Sequence, residues 1–209
     1  MKHKINKEHF RVAIFGSARI QPNDPRYNQI YTLARMIAVE EFDIVTGGGP
    51  GVMEAANKGH KEGRKRADIH SYGLTIQLPE EQSSNKHLDI EEDFKNFSTR
   101  LDKFMSLSNA VIVAPGGIGT MLELFYTWQL VQVKKIEVIP IIFMGDMWQG
   151  LIEWIEKISL KKGFISPSEM HPLFLAKNCS EVIKILRTVK NEHDKGSTDF
   201  CTKFKHYKI

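Results

Sequence analysis

The residues that could do chemistry in this chain are two charged side chains and three glycine turns. The turns are Gly16-Ser17, Gly47-Gly48-Gly49-Pro50-Gly51 and Pro115-Gly116-Gly117-Ile118-Gly119-Thr120, and each follows a short apolar run. Glycine lets the backbone come close to an anion, and a helix start behind it offers free N–H groups and a partial positive charge. With the hydroxyls of Ser17 and Thr120, these turns point to a phosphate-bearing ligand. The competing reading is that the glycines only make tight strand-to-helix turns. Two turns of this density favour the ligand. The dinucleotide fingerprint G-x-G-x-x-G is incomplete, because Val52 and Leu122 stand where its third glycine belongs. No G-x-x-x-x-G-K-[ST] occurs either. A mononucleotide or a sugar phosphate is the expected ligand.

The charged pair is Arg100 and Glu123. Arg100 falls in the first turn of a predicted helix, where a cation opposes the helix dipole. Local helix physics does not explain it, and an anionic ligand would. Glu123 falls early in the helix that follows the third turn. Thr120-x-x-Glu123 also fits a capping box, in which the carboxylate serves only the helix start, and Thr99-x-x-Asp102 is a second such candidate. Spacing alone leaves Glu123 evenly poised between cap and catalyst. Arg19 could reach a phosphate or be a solvated side chain.

Strands are expected over 12–15, 42–46, 70–78, 110–114 and 138–143, with a short edge strand at 172–176. Helices are expected over 25–40, from the second glycine turn to about 63, and over 98–108, 118–133, 147–158 and 180–189. Apolar residues three and four apart, such as Ile30, Leu33, Ala34 and Ile37, give one buried helical stripe. Strands such as Val111-Ile112-Val113 lack polar alternation, as a sheet covered on both faces requires. Strands alternating with helices imply βαβ units and a mainly parallel sheet. The expected fold is therefore α/β, one doubly wound domain over 1–190, with a polar tail at 191–209. The polar, acidic stretch 79–97 shows no period and reads as a functional or disordered loop. In open α/β sheets ligands bind beyond the carboxyl ends of the strands, which is where the three turns lie.

Composition excludes several other functions. The chain has 209 residues, a net charge of +4 and two cysteines, Cys179 and Cys201. Two cysteines build neither a disulfide framework nor a multi-cysteine zinc module. The eight histidines are dispersed, without H-E-x-x-H or a close pair, so no metal is expected. The basic excess is scattered, which disfavours nucleic acid, and the run Lys61, Arg64, Lys65, Arg66 reads as a solvated helix end. The longest strongly apolar stretch, 138–144, is too short to cross a bilayer, and 12–15 is too short for a signal-peptide core. A cytoplasmic protein with no membrane partner is expected. The helix over 118–133 is apolar on several sides, more than one sheet face can cover, so a partner surface is expected there unless a neighbouring helix buries it.

At its glycine turns the sequence resembles the LOG (Lonely Guy) family of nucleoside 5′-monophosphate phosphoribohydrolases, formerly labelled lysine decarboxylase-like. Residues 115–123 match P-G-G-x-G-T-x-x-E, and Thr46 to Ala56 resembles the family's second glycine motif in its bacterial form. Phe15-Gly16-Ser17 resembles its first-strand turn, and Leu78-Pro79-x-Glu81-Gln82-x-x-Asn85 a loop of bacterial relatives. The resemblance covers about residues 11–158. It implies a Rossmann-like fold and hydrolysis of a nucleoside 5′-monophosphate, AMP-like or a cytokinin riboside monophosphate, to free base and ribose 5-phosphate. It implies Arg100 and Glu123 as the catalytic pair, no cofactor, and a homodimer or larger assembly. Substrate binding would fall to Gly16, Ser17, Gly47, Gly48, Gly49, Gly116, Gly117, Gly119 and Thr120, with Glu81, Gln82 and Asn85 in a lid over the base. The plant-type proteins surround the arginine with M-H-x-R-K. Here the sequence is Phe97-Ser98-Thr99-Arg100-Leu101, without the lysine, and Arg100-Leu101-Asp102 is closer to bacterial nucleotide nucleosidases. A non-catalytic nucleotide-binding or sensing protein of the same fold is the alternative.

Overall fold

In a computed structural model, which describes residues 9–77, 83–197 and Phe200, the apolar runs pair as a seven-stranded, wholly parallel sheet. The strands are β1 (Arg11–Phe15), β2 (Asp43–Thr46), β3 (Ser71–Ile76), β4 (Ile90–Phe94), β5 (Ala110–Val113), β6 (Ile141–Met144) and β7 (Leu173–Ala176). Their spatial order is β4-β3-β2-β1-β5-β6-β7. The helices are α1 (Pro25–Val39), α2 (Val52–Gly63), α3 (Phe97–Leu107), α4 (Ile118–Gln132), α5 (Gln149–Trp154) and α6 (Cys179–Asp194). A π-helical stretch, Ile155–Leu160, continues α5.

Alternation along each strand feeds two apolar layers. Val12 and Ile14 of β1 point to a core shared with α1, α2 and α6, while Ala13 and Phe15 point to a core shared with α3, α4 and α5. Every residue of β1, β2, β5 and β6 is buried. That is the burial a doubly covered parallel sheet demands. The α/β, doubly wound expectation holds. Helices α1 and α2 pack closely at Gly59, where a Cβ would sit 2.1 Å from the Tyr31 carbonyl oxygen.

Several elements differ from the sequence reading. The stretch 79–97 contains a strand, β4, paired in register from Tyr72↔Ile90 to Ile76↔Phe94. Its middle residues, Glu91, Glu92 and Asp93, are exposed on a sheet edge, where charge discourages pairing with another chain. A run of carboxylates therefore hides a strand that lacks the usual apolar signature. β6 begins at Ile141, three residues later than expected, directly after Pro140, whose nitrogen cannot donate to a ladder. α6 runs five residues past 189, to Asp194, and Phe200 packs against Phe174 of β7. Residues 78–82, which include Glu81 and Gln82, and Cys201 lie outside the described residues.

Strand order places the functional edge. From β1 the chain steps outward in one direction to β2 and β3, and β5 lies on the other side of β1. The turns leaving β1 and β5 thus diverge and open a crevice between them, the usual ligand position in an open α/β sheet. The two turns are tied together there by Ser17 N–H donating to the Pro115 carbonyl at 3.0 Å.

Candidate active site

The crevice is a cleft of about 510 Å³. Its walls are the turn after β1, the glycine turn after β2, the end of β3, and the starts of α3 and α4. Of the residues expected to bind, Gly16, Ser17, Gly47, Gly49, Gly117, Gly119 and Thr120 line it together with Arg100 and Glu123. Gly48 and Gly116 do not. Gly48 has φ +74°, and a Cβ there would meet the Thr75 methyl at 2.8 Å. Gly116 lies against Thr120, whose Oγ1 would be 2.1 Å from an added Cβ. These two glycines serve the turns themselves. Gly16 is glycine because the side chain of Val52, the first residue of α2, occupies the place of a Cβ, at 2.5 Å.

Gly117 and Gly119 differ. A Cβ at either would meet no atom within 4 Å, so chain packing does not demand glycine there. Gly117 is the N-cap of α4, and no side chain caps that helix start. The first N–H groups of a helix have no partner within it, so this wall of the cleft presents donors and the positive end of a helix dipole. Arg19 lines the same cleft and is exposed, and its backbone N–H donates to Ser17 Oγ at 3.1 Å.

Arg100 and Glu123 meet on the floor. The Arg100 guanidinium donates through Nη1 to Glu123 Oε1 at 3.3 Å and through Nε to the Leu74 carbonyl at 2.6 Å. It also lies over the Phe104 ring, 5.1 Å from the centroid. Arg100 is 7% exposed. Gly47 makes its position possible, because a Cβ there would sit 2.3 Å from Arg100 Nη2. Neither proposed capping box forms. Thr120 is the third residue of α4, not its cap, and the Glu123 carboxylate turns to Arg100. Thr99 is likewise inside α3, and its hydroxyl donates to the Asn96 carbonyl. Asp102 instead accepts a hydrogen bond from the Tyr126 hydroxyl, linking α3 to α4.

Burial sets the electrostatics of the pair. Desolvation pushes the Glu123 carboxyl up from 4.5 to about 7, and the nearby Arg100 charge pulls against that rise without cancelling it. Burial depresses Arg100 as well, opposed by Glu123. A group whose pKa is raised by folding stabilises the fold below its unfolded value and loses that contribution as pH rises through the folded one. Between 4.5 and about 7, at about 1.4 kcal/mol per pH unit, ionising Glu123 costs about 3 kcal/mol of stability. Glu123→Gln, an uncharged isostere, is therefore expected to match the wild type in urea melts near pH 4.5. At pH 8 it should exceed the wild type by up to about 3 kcal/mol. Equal stability gaps at both pH values would show that the carboxylate is not held at a desolvation cost.

The sequence reading missed a polar network behind the second glycine turn. Thr46 Oγ1 donates to Asn57 Oδ1 at 2.9 Å, and Asn57 Nδ2 donates to Ser71 Oγ at 2.6 Å. Asn85 Nδ2 reaches Asn57 Oδ1, Gly48 O and Gly49 O at 2.9, 3.0 and 2.9 Å. The signal was present: Thr46 directly follows the apolar pair Ile44-Val45 and Asn57 sits on the apolar face of α2, and buried polar groups require partners. At the opposite end of the sheet the fold gathers His9, Asp43 and His70, with ligand atoms within 4.8 Å of one another. Arg11 Nε lies 3.4 Å from Asp43 Oδ2 and already supplies positive charge there. The basic run after α2 is partly paired: Arg64 bridges Asp89, and Arg66 bridges Asp68 and Glu41. No helix among the described residues is long and apolar enough to cross a membrane.

Known proteins share both fold and sequence with this chain. It is 29% identical over 143 residues to a pyrimidine/purine nucleotide 5′-monophosphate nucleosidase of Escherichia coli K12, covering 64% of this chain and 30% of that protein. The chain thus spans less than a third of that relative's length. It is 26% identical over 167 residues to a probable cytokinin riboside 5′-monophosphate phosphoribohydrolase of rice, covering 78% of this chain and 66% of the relative. To a cytokinin riboside 5′-monophosphate phosphoribohydrolase of Arabidopsis thaliana it is 22% identical, covering 91% and 88%. Among solved structures, a molybdenum cofactor binding protein of Rippkaea orientalis superposes with a TM-score of 0.66 at 18% identity, covering 88% of this chain and 99% of that one, which supports the fold alone. The family model described as possible lysine decarboxylase matches residues 53–186, which hold both Arg100 and Glu123. With that match across most of the sheet and the glycine motifs around the cleft, the chain belongs to this family, the LOG family.

Proposed function

We propose that the protein hydrolyses the N-glycosidic bond of a nucleoside 5′-monophosphate, releasing the free base and ribose 5-phosphate. The observation that carries the reading is the buried Arg100–Glu123 pair on the floor of a cleft whose wall is the uncapped start of α4. Names of the relatives point the same way, to nucleotide nucleosidases and phosphoribohydrolases. In this reading the 5′-phosphate sits against the N–H groups of 117–120, with the Thr120 hydroxyl and Arg19 beside it. Gly16, Ser17, Gly47 and Gly49 close the pocket around the sugar.

Cleavage develops positive charge on the ribose ring as the base departs, as in glycoside hydrolysis. Glu123, ionised, stabilises that charge and orients or deprotonates the water that attacks C1′. The water's oxygen joins C1′ and one of its protons ends on the departing base. Arg100 favours the ionised form of Glu123 against its burial and can hold substrate oxygens with its planar fork. The reaction needs no metal or organic cofactor. The reading takes the protein to act in the cytoplasm.

The reading includes a homodimer. Leu124, Trp128 and Val131 of α4 are buried on the sheet, while Ile118, Leu122 and Phe125 remain exposed at 85%, 45% and 42%. A second copy of the chain is the partner proposed for that face.

The first test is titration calorimetry with AMP and with adenosine. The reading predicts that AMP binds at least about 100-fold more tightly, since charge-assisted hydrogen bonds to a phosphate contribute roughly 1.5–3 kcal/mol each. Equal affinity for both would remove the phosphate site from the α4 start.

A further inference from the structure

The glycine turn after β2 is fastened from behind by Asn85. Three successive peptide groups of the turn are each held. Gly48 N–H donates to Thr46 Oγ1 at 3.0 Å, and the carbonyls of Gly48 and Gly49 both accept from Asn85 Nδ2. The Asn85 backbone N–H also donates to Gly48 O, at 2.8 Å. The same amide reaches Asn57, which is fully buried and tied to Thr46. The sequence resemblance puts Asn85 in a lid over the base with Glu81 and Gln82, yet its side chain is spent on the glycine turn. The other face of that turn is Gly47, in contact with the Arg100 guanidinium.

We propose that Asn85 is a positioning residue for Arg100: by locking the glycine turn 47–49 it fixes the wall against which the guanidinium rests, and so the Arg100–Glu123 geometry. The amide is suited to this because its two N–H donors face two carbonyls and a side-chain oxygen at once. Loss of those donors loosens the peptide groups on either side of Gly49, whose carbonyls they hold, while Gly48 O keeps the Asn85 backbone N–H. Gly48, at φ +74°, already occupies a conformation that only glycine takes without strain, so the turn has alternatives nearby once released. A turn that shifts lets the guanidinium slide from Glu123.

The consequence can be read at Glu123. Arg100 from α3 is the cation that faces it, and Arg19 on the turn after β1 lines the same cleft. The glycine turn and β3 bring Gly47, Gly49, Thr75 and Ile76 to the cleft, none of them ionisable. Weakening the Arg100 contact therefore moves the Glu123 titration upward.

The catalytic half of the test rests on the nucleotide-hydrolase reading; the titration half does not. Full-length wild type, Asn85→Ala and Asn85→Asp would be compared by carboxyl ¹³C NMR, with the Glu123 resonance identified by its loss in Glu123→Gln. The kcat and KM for AMP would be measured alongside. Both variants are expected to raise the Glu123 midpoint by about 0.5 pH unit or more. They are expected to lower kcat by about 10–100-fold with a smaller change in KM. Aspartate keeps the size of asparagine but, ionised, has no N–H to give, so it serves should the alanine variant fail to fold. A Glu123 midpoint unchanged in Asn85→Asp would overturn the proposal. A shifted midpoint in a protein whose wild type turns over no nucleotide would uphold the brace and remove the hydrolase reading instead.

Discussion

Replacing Glu123 by Gln is expected, on the proposed hydrolase reading, to lower turnover of a nucleoside 5′-monophosphate by about 10³-fold and to leave nucleotide affinity within a factor of about three. The size follows from what glutamine retains and what it loses. It keeps the volume and one carbonyl oxygen, so the cleft and the phosphate wall at 117–120 stay intact. It loses the negative charge that faces the developing cation and the base that takes a proton from water. Both are used only in the transition state, so the loss appears in kcat and not in binding. The pH dependence carries the same signature. With Glu123 near 7, kcat/KM of the wild type is expected to rise through an acid limb near pH 7, since in this reading the ionised form is the working one. Wild-type turnover by the variant would return Glu123 to a structural role.

Gly47→Ala is the second large effect, expected at about 10²-fold in kcat, because the new methyl occupies the guanidinium's place. Its Cβ would lie 2.3 Å from Arg100 Nη2 and 2.7 Å from Met53 Sδ. Arg100 cannot simply retreat, as its Nε is bonded to the Leu74 carbonyl and its plane lies over Phe104. Either the guanidinium leaves Glu123 or the turn moves outward, and both spoil the pair. Gly150→Ala is the control. Its Cβ would meet nothing within 4 Å, and it lies in α5, away from the cleft residues. Steady-state kinetics of the two variants measure the difference. Equal activities would show that Arg100 does not depend on the space at Gly47.

Much of the fold was legible because burial left few choices. Runs such as Val111-Ile112-Val113 can only be covered strands, and glycine turns mark the edge where they end. β4 was not legible. Ile90 and Phe94 bracket three acidic residues, and it is pairing to β3, not local propensity, that makes them a strand. In the site, Arg100 was readable from its conflict with the helix dipole and from the family motif. The spacing of Thr120 and Glu123 could not separate cap from catalyst. The register of α4 removes the cap, since Gly117 is the N-cap and Glu123 faces Arg100 across the cleft floor. Contacts to backbone atoms stayed hidden, because Leu74 O and Gly48 O have no sequence signature. So did the link from Asn85 to Asn57, which joins residues 28 positions apart through side-chain amides.

The most direct test of the central claim is chromatography of the products when purified protein is incubated with a panel of nucleoside 5′-monophosphates, with Glu123→Gln in parallel. The account predicts free base and ribose 5-phosphate in equal amounts from at least one member, released by the wild type and not by the variant. No base released from any member, while nucleotide still binds, would contradict it and leave a nucleotide-binding protein whose Arg100–Glu123 pair is structural.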